Sequence, residues 1–196
     1  LGIAADGSAD LNLSSPTGQI KIGGSSPKRT IILTGAGGWP STTYGSASNL
    51  KNNVGSNKPN YYALGFDSGT FEYAEWSIVM PDNYDGGGVV AKFYWTSSVA
   101  TGNVVWGIQG NSYADDEVFE LAWGTAQTIN DGMGSAAEDV MVSEETSTIT
   151  LAGTPAAGEF VQFRVYRDGA NAADTLATDA SLMMVKIEYN ISQYSD

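Results

Sequence analysis

The chain has 196 residues, of which 42% are hydrophobic and 11% aromatic, a length and composition that suit one folded domain. Nine basic and 22 acidic residues give a net charge of −13. Nucleic acids and anionic membrane surfaces are therefore not expected partners, because both require basic footprints. The chain contains no Cys and no His, which excludes thiol chemistry and removes the commonest general base and transition-metal ligand. No apolar run approaches the roughly 18 residues of a membrane span.

The first 28 residues differ from the rest of the chain. A few aliphatic residues are scattered through a background of Gly, Ser and Asp. Such a segment cannot bury enough apolar surface to offset the backbone entropy lost on folding, about 1–2 kcal/mol per residue. We therefore expect residues 1–28 to form an extended arm and residues 29–196 to form the folded domain. Within the arm, the only strand-like residues are Gln19, Ile20, Lys21 and Ile22. They are predicted to add a strand to the sheet edge of a neighbouring copy, and the alternative is that the arm lies on the chain's own sandwich.

Period-2 alternation predicts β-strands along most of the folded domain. The clearest are residues 71–80, 89–96 and 104–109, which we interpret as a central meander with Trp76, Trp95 and Trp106 facing the core. Further strands are predicted at 29–34, 61–66, 147–151, 159–167 and 180–190, with edge strands at 126–129 and 140–142. Residues 41–60 are interpreted as a long polar loop. Acidic residues at the start of 115–123 predict one short helix. The pattern indicates an all-β protein, a single antiparallel β-sandwich of jelly-roll type.

The sequence also resembles a known family. The motifs that carry the resemblance are TIILTGAGGWPSTT (30–43), EYAEWSIVMPDNYDGG (72–87), VVWGIQGNSYADDE (104–117), AWGTAQ (122–127), TITLAGTPAAGEFVQFRVYRD (148–168) and ADTLATDASLMMVKIEY (173–189). In this order they are similar to small jelly-roll or β-sandwich proteins of tailed bacteriophages and environmental phage sequences. The resemblance implies a virion-associated structural protein, and it brings no catalytic or ligand residue with it. Residues 1–28 lie outside it.

A cluster of acidic residues is the main candidate metal site, and weaker clusters at 6–10 and 168–179 are interpreted as solvated loops. The members of the main cluster are Asp115, Asp116, Glu117 and Glu120. Jelly-roll modules hold Ca²⁺ with such oxygens, but acids in the first turn of a helix need no metal. We therefore predict no metal and no cofactor.

Catalysis is not expected either. A glycosidase needs two carboxylates facing each other across a cleft. The acids on predicted strands are Glu72, Glu75, Glu159 and Glu188, and any acidic sandwich would offer as many. The chain is predicted not to be an enzyme.

Outward-facing aromatic residues are the candidate contact residues. They are Trp39, Tyr73, Tyr94, Tyr113 and Tyr166, while Trp123 fits either the core or the surface. Exposed aromatic rings serve protein–protein interfaces and also stack on sugar rings. The first interpretation is a non-enzymatic component of a bacteriophage virion, either a head decoration protein or a tail-fibre or receptor-binding module. Its partners would be itself, as a homo-oligomer with a trimer expected first, other virion proteins, and host-surface glycan. The alternative is a carbohydrate-binding module of a secreted or tail-borne protein.

Overall fold

The computed structural model describes residues 27–51, 56–57 and 59–192, and it shows two packed antiparallel sheets. The six-stranded sheet contains β1 (Lys28–Thr34), β3 (Ala47–Lys51), β4 (Tyr61–Phe66), β6 (Val90–Thr96), β9 (Met141–Val142) and β11 (Ala180–Asn190). The five-stranded sheet contains β2 (Trp39–Pro40), β5 (Phe71–Val79), β7 (Asn103–Tyr113), β8 (Gln127–Gly132) and β10 (Phe160–Asp168). The strand order is β3-β4-β11-β6-β9 in the first, with β1 also on β11, and β2-β5-β10-β7-β8 in the second. The predicted β-sandwich of jelly-roll type is confirmed.

The core lies between the two sheets and is built by the alternation seen in the sequence. Trp76, Trp95 and Trp106 are all buried, as predicted. Trp106 packs edge-on against Trp95, with ring centroids 6.1 Å apart. It also stacks on Phe93 at 5.7 Å, so residues from both sheets meet around one indole. Large aromatic side chains thus supply much of the apolar area that holds the sheets together.

The central strands do not form a meander, which corrects that expectation. Strands β5 and β7 lie in the same sheet on either side of β10, whereas β6 lies in the opposite sheet. The connection after β5 crosses between the sheets, where the Asp85 amide donates to the Asn190 carbonyl at 3.2 Å. Periodicity shows which face of a strand is buried, but it does not show which neighbouring strand pairs with it. Alternation therefore could not predict the strand pairing.

The predicted helix at 115–123 is wrong. The described part of the chain contains no α-helix, and its only helical turn is a 3-10 turn at Gly35–Gly37. The Glu117 side chain accepts the Ala114 amide at 3.0 Å, and Asp116 has a positive φ of 64°, so the chain turns there instead of coiling. The Asn111 side chain then bonds to the main chain of Leu121 and Gly124 and holds the following residues against the five-stranded sheet. These bonds override the local charge pattern that favoured a helix.

Two further strand assignments need correction. Residues 147–151 form one isolated bridge rather than a strand, with Ile149 paired to Val89. The predicted loop at 41–60 contains β3, which pairs along β4. An edge strand can be held by main-chain hydrogen bonds on one side, and it then needs no apolar alternation. That is why β3 gave no periodic signal.

The predicted arm falls mostly outside the described residues. Gln19, Ile20, Lys21 and Ile22 lie there, and their assembly role stays a prediction. The body of the sandwich begins where the Pro27 carbonyl accepts the Ile191 amide at 3.1 Å. Within the described residues, no helix is long and apolar enough to cross a membrane.

A buried ion pair joins several strands at one end of the sandwich. Arg167 points inward from β10 and forms a salt bridge with Asp174 at 2.7 Å, with both side chains almost completely buried. Its guanidinium also donates to the carbonyls of Phe66, Leu176 and Thr178. Every N–H of the guanidinium that faces the core therefore has an acceptor. This is the condition under which a buried charge is tolerated.

We expect Arg167→Ala to destabilise the fold strongly, because it leaves the Asp174 carboxylate buried without a cation. The loss should be about 3–5 kcal/mol, or roughly 10 °C in melting temperature for a domain of this size. The matched control is Lys186→Ala, which breaks the partly exposed Lys186–Glu188 pair, 3.2 Å apart. That variant should lose about 1 kcal/mol or less. Equal losses in thermal melts of the two variants would contradict this account.

Candidate functional site

The outer face of the five-stranded sheet carries most of the surface aromatic residues. Residues directly opposite each other in an antiparallel pair point to the same face. Tyr73 of β5 lies opposite Tyr166 of β10, and Glu75 lies opposite Arg164. On the other side of β5, Trp39 of β2 also lies opposite Glu75. Strand register therefore assembles one continuous surface from residues that are far apart in the sequence.

Three rings at one end of this face form the first aromatic cluster, made of Phe71, Tyr73 and Tyr166. The centroid of Tyr166 lies 5.6 Å from that of Tyr73 and 5.8 Å from that of Phe71. The rings of Phe71 and Tyr73 are nearly parallel, with an interplanar angle of 14°. Phe71 is 39% exposed, whereas Tyr166 is buried beneath its neighbours. The cluster therefore offers a partly exposed aromatic surface on a fixed base.

Beside this cluster the surface forms an open pocket of about 370 Å³. Its lining residues are Tyr44, Thr70, Phe71, Tyr73 and Ala170. Three of the five are aromatic and none of the five is charged. A mainly apolar concavity with a few hydroxyl groups is the usual form of a small-ligand site.

Tyr44 is held in the pocket wall by the main chain of Tyr73. The Tyr73 amide donates to the Tyr44 carbonyl at 2.7 Å, and the Tyr73 carbonyl accepts the amides of Ser41 and Ser46, both at 3.1 Å. Tyr44 has a positive φ of 56°, a backbone conformation that is strained for a bulky residue. Its neighbour Gly45 has no room for a side chain, since a Cβ there would lie 2.2 Å from the Ser41 carbonyl oxygen. In this tight loop, Tyr44 as a whole residue is 69% exposed.

A polar row crosses the centre of the face. Arg164 Nε lies 3.2 Å from one carboxylate oxygen of Glu75, and Gln162 donates to the other at 3.2 Å. The Arg164 guanidinium also lies over the rings of Trp123, at 4.1 Å, and of Tyr73, at 5.2 Å. The charges of Glu75 and Arg164 compensate each other. The row therefore offers oriented donors and acceptors without a net charge.

The opposite end of the same face carries the second aromatic cluster, made of Tyr113, Phe119 and Phe160. Phe119 stacks on Tyr113 with centroids 4.8 Å apart and an interplanar angle of 11°. Its centroid lies 6.0 Å from that of Phe160. Phe119 is 62% exposed although it is a large apolar residue.

The predicted contact residues divide between the two sheets. Trp39, Tyr73 and Tyr166 come together on the outer face of the five-stranded sheet. Tyr113 lies on the same face at the far end, under Phe119. Tyr94 lies on the six-stranded sheet, opposite Met184 and Val142, and takes no part in this surface. Trp123, left open between core and surface, is half-buried over Arg164.

Sequence reasoning identified only Tyr73 among the pocket residues, and it missed the two other aromatic ones, Tyr44 and Phe71. Phe71 has the same strand parity as Tyr73, so alternation alone could have identified it. Tyr44 lies in a polar loop without periodicity. Only its contacts with Tyr73 show that its ring belongs to the site.

The acidic candidates are not gathered into a site. Asp115, Asp116, Glu117 and Glu120 are all exposed on the segment after β7. Among the residues that the structure describes, no group of three or more Asp, Glu, His or Cys is placed to hold a metal ion.

The four acids considered for catalysis are dispersed. Glu75 pairs with Arg164 on the five-stranded sheet, whereas Glu188 pairs with Lys186 on the six-stranded sheet. Glu159 accepts hydrogen bonds from Ser112 Oγ at 2.6 Å and from the Ala156 amide at 3.0 Å. Glu72 lies opposite the inward-pointing Arg167, so it is on the inner face of β5, whereas Glu75 is on the outer face.

Two ionisable groups at this end of the sandwich have shifted pKa values, Tyr166 on the outer face and Glu72 on the inner face. Burial raises the pKa of the Tyr166 hydroxyl, and the Asp168 charge adds to the effect, so this hydroxyl remains a neutral donor at physiological pH. Burial also raises the pKa of the Glu72 carboxyl, although the hydrogen bond from the Asp67 amide opposes the shift. The nearby charges of Asp67 and Asp179 raise this pKa further.

The raised pKa of Glu72 makes stability depend on pH. The folded state holds this proton more tightly than the unfolded state does. The contribution is therefore fully present below the ordinary Glu pKa of about 4.3, and it is lost as the pH rises through the folded value. We expect Glu72→Gln to be more stable than the wild type at neutral pH, with the difference disappearing below about pH 4. Urea unfolding at neutral pH and below about pH 4 measures this difference in the free energy of unfolding.

The matched control is Glu120→Gln, which removes the same charge from an exposed position. Its stability difference from the wild type should be small at neutral pH. A Glu72→Gln variant that is less stable than the wild type at neutral pH would contradict the prediction.

Comparisons with known proteins return structural likenesses only. The chain matches no protein-family model and no curated protein sequence. The CBM22-2 xylan-binding domain of Paenibacillus barcinonensis Xyn10C is similar in structure, with a TM-score of 0.43 and 12% identity over 82% of this chain and 99% of that one. The xylan-binding module CBM15 is similar with a TM-score of 0.43 and 14% identity, over 83% of this chain and 97% of that one.

Two larger enzymes also contain a similar region. The chain spans 29% of an exo-beta-1,3-galactanase from Phanerochaete chrysosporium, at a TM-score of 0.43 and 12% identity over 81% of this chain. It spans 18% of a cycloisomaltooligosaccharide glucanotransferase from Paenibacillus sp., at a TM-score of 0.41 and 9% identity over 82% of this chain. All these TM-scores are below 0.5, so no function is inferred from the likenesses.

Proposed function

We propose that the outer face of the five-stranded sheet binds a neutral glycan without catalysing a reaction on it. The observation that carries this proposal is the open pocket walled by Tyr44, Phe71 and Tyr73. Two of these rings expose much of their surface to solvent, although the rest of the cluster is packed tightly beneath them. A free apolar surface of this kind, rigidly held, is characteristic of a binding site.

The chemistry of a sugar ring matches this surface. A sugar presents C–H groups on its ring face and hydroxyl groups around its edge. The C–H groups carry partial positive charge and pack against the negative face of an aromatic ring. The hydroxyl groups can then exchange hydrogen bonds with the partly exposed Glu75 and Arg164, which lie directly beside Tyr73 and Tyr166.

The charge distribution favours a neutral ligand over an acidic one. The chain carries a net charge of −13, which repels polyanions at long range. Arg164 is already paired with Glu75 at 3.2 Å, so it is not available as an unpaired cation for a sugar carboxylate or sulfate.

The same geometry argues for binding rather than hydrolysis. Glycoside cleavage needs two carboxylates on either side of the scissile bond. The residues that line the pocket include no carboxylate. Two acids face outward near the pocket. Asp168 lies opposite Phe71 and accepts a hydrogen bond from the Asn171 side chain, and each carboxylate oxygen of Glu75 is bonded to Arg164 or Gln162. Their levels on the sheet differ by four strand positions, about 13 Å, which is more than the roughly 5–10 Å between the two carboxylates of a glycosidase.

A second candidate function is assembly as a structural component of a bacteriophage virion. It rests on the resemblance of residues 30–189 to phage structural proteins. The observation that favours it is the pair of exposed aliphatic side chains on the six-stranded sheet, Ile32 and Val142. The two roles use opposite faces, so a tail-borne subunit could assemble through one and bind host-surface glycan through the other. A homo-oligomer without affinity for any polysaccharide would favour assembly alone.

The binding proposal is tested with Tyr44→Ala and Phe71→Ala. Affinity electrophoresis and calorimetry would use neutral β-glucans, mannans and galactans, with pectin and alginate as acidic comparisons. We expect the wild type to bind at least one neutral polysaccharide. Each substitution should weaken that binding about tenfold or more, because each removes a stacking surface worth about 1.4 kcal/mol.

Tyr62→Ala is the matched control, since Tyr62 is an exposed aromatic residue on the six-stranded sheet. It should bind as the wild type does. If no neutral polysaccharide binds, or if both variants bind normally, the proposal is wrong. Steady release of reducing ends from a bound polysaccharide would overturn its non-catalytic part.

A further inference from the structure

The second aromatic cluster has no role in the pocket described above. Phe119 is 62% exposed and stacks on Tyr113, which lies opposite Phe160. Exposing a large apolar ring to water is unfavourable, and packing it flat on Tyr113 and tilted against Phe160 restricts its motion as well. The arrangement matches the first cluster at the other end of the sheet, where partly exposed rings also lie over buried ones.

Each cluster contains one outward-facing residue of the same strand, β10. Tyr166 and Phe160 both point outward from β10 and are separated by six residues. At about 3.3–3.4 Å per residue, the clusters are roughly 20 Å apart along the strand. That distance spans several sugar rings and is too long for one.

The surface between the clusters is a polar floor. On β10 it consists of Arg164, and on β5 of Glu75 and Ser77, while Gln162 is buried beside them. Gln162 and Arg164 are both tied to Glu75, so the floor is rigid.

Residues 119–124 border this floor on the β7 side. The Asn111 side chain donates to the Leu121 carbonyl at 3.1 Å and accepts the Gly124 amide at 3.1 Å. These bonds hold residues 119–124 against the sheet and place Trp123 over Arg164, 4.1 Å from its guanidinium. On the other side, Trp39 of the edge strand β2 lies level with Glu75. The polar floor therefore lies between Trp123, which stacks on Arg164, and Trp39, which lies level with Glu75.

The distribution of polarity along this face indicates a glycan rather than a protein partner. Protein interfaces have an apolar centre and a polar rim. Here charged and polar residues lie between the two clusters, with Trp39 and Trp123 beside them, so polar groups alternate with aromatic rings along the face. A polysaccharide chain fits this order, because it can stack one sugar at each end and present hydroxyl groups to the floor between them.

We propose that the second aromatic cluster is a further stacking site for the same neutral polysaccharide. The bound chain lies parallel to β5 and β10, from the pocket at Tyr44 and Phe71 to Phe119. This inference rests on the proposed function. It adds that the ligand is an extended chain of several sugar units, held at both ends, and that a short oligosaccharide uses the pocket alone.

The test compares Phe119→Ala with Phe71→Ala on oligosaccharides of increasing length, prepared from the neutral polysaccharide that the wild type binds. Wild-type affinity should rise with length until the chain reaches both clusters. Phe119→Ala should bind short oligosaccharides as the wild type does and lose about tenfold in affinity for long ones. Phe71→Ala should lose affinity at every length. Phe119→Tyr, which keeps a stacking ring, should restore binding of long chains.

Val118→Ala is the matched control, since Val118 is the adjacent residue and is 76% exposed. It should leave all affinities unchanged. If Phe119→Ala binds long chains normally while Phe71→Ala does not, this inference is wrong and the proposed function stands. Equal losses for short and long ligands in Phe119→Ala would also overturn it. If the wild type binds no neutral polysaccharide, both proposals fail.

Discussion

The buried guanidinium of Arg167 is the interaction on which the site end of the sandwich depends. It bonds to the Asp174 carboxylate and to the carbonyls of Phe66, Leu176 and Thr178. The same carboxylate accepts the Val105 amide at 3.0 Å. One side chain thereby joins β10 to the end of β4, to the start of β7 and to the loop after β10. A residue of that loop, Ala170, lines the pocket, so a charge in the core helps to fix the wall of a surface site.

Strand β10 shows how a core and a site can share one element. Its inward residues Phe163 and Val165 are fully buried, while the alternate residues Arg164 and Tyr166 face outward. The packing that stabilises the inner face also fixes the positions of the outer side chains. A ligand that binds there loses little free energy in ordering the protein, and such preorganisation increases affinity more reliably than additional area does.

Strand alternation was sufficient to predict the fold class, the buried tryptophans and the outward direction of Tyr73 and Tyr166. Pairing between strands was not predictable, because β10 inserts between β5 and β7 from a distant part of the sequence. The segment after β7 looked helical from its charges, but its conformation depends on hydrogen bonds to Asn111 that no local pattern reveals. Tyr44 was missed for the same reason. Its exposure is set by a loop bonded to the main chain of Tyr73.

The central claim is that ligand binds on the outer face of the five-stranded sheet, and amide chemical shifts recorded during titration with a bound oligosaccharide test it most directly. The account predicts that shift changes are concentrated in β5, β10 and loop 41–46. The β1 and β11 strands of the opposite sheet should remain unaffected. Changes confined to the six-stranded sheet or to the Gly-rich connection at 81–88 would contradict the account.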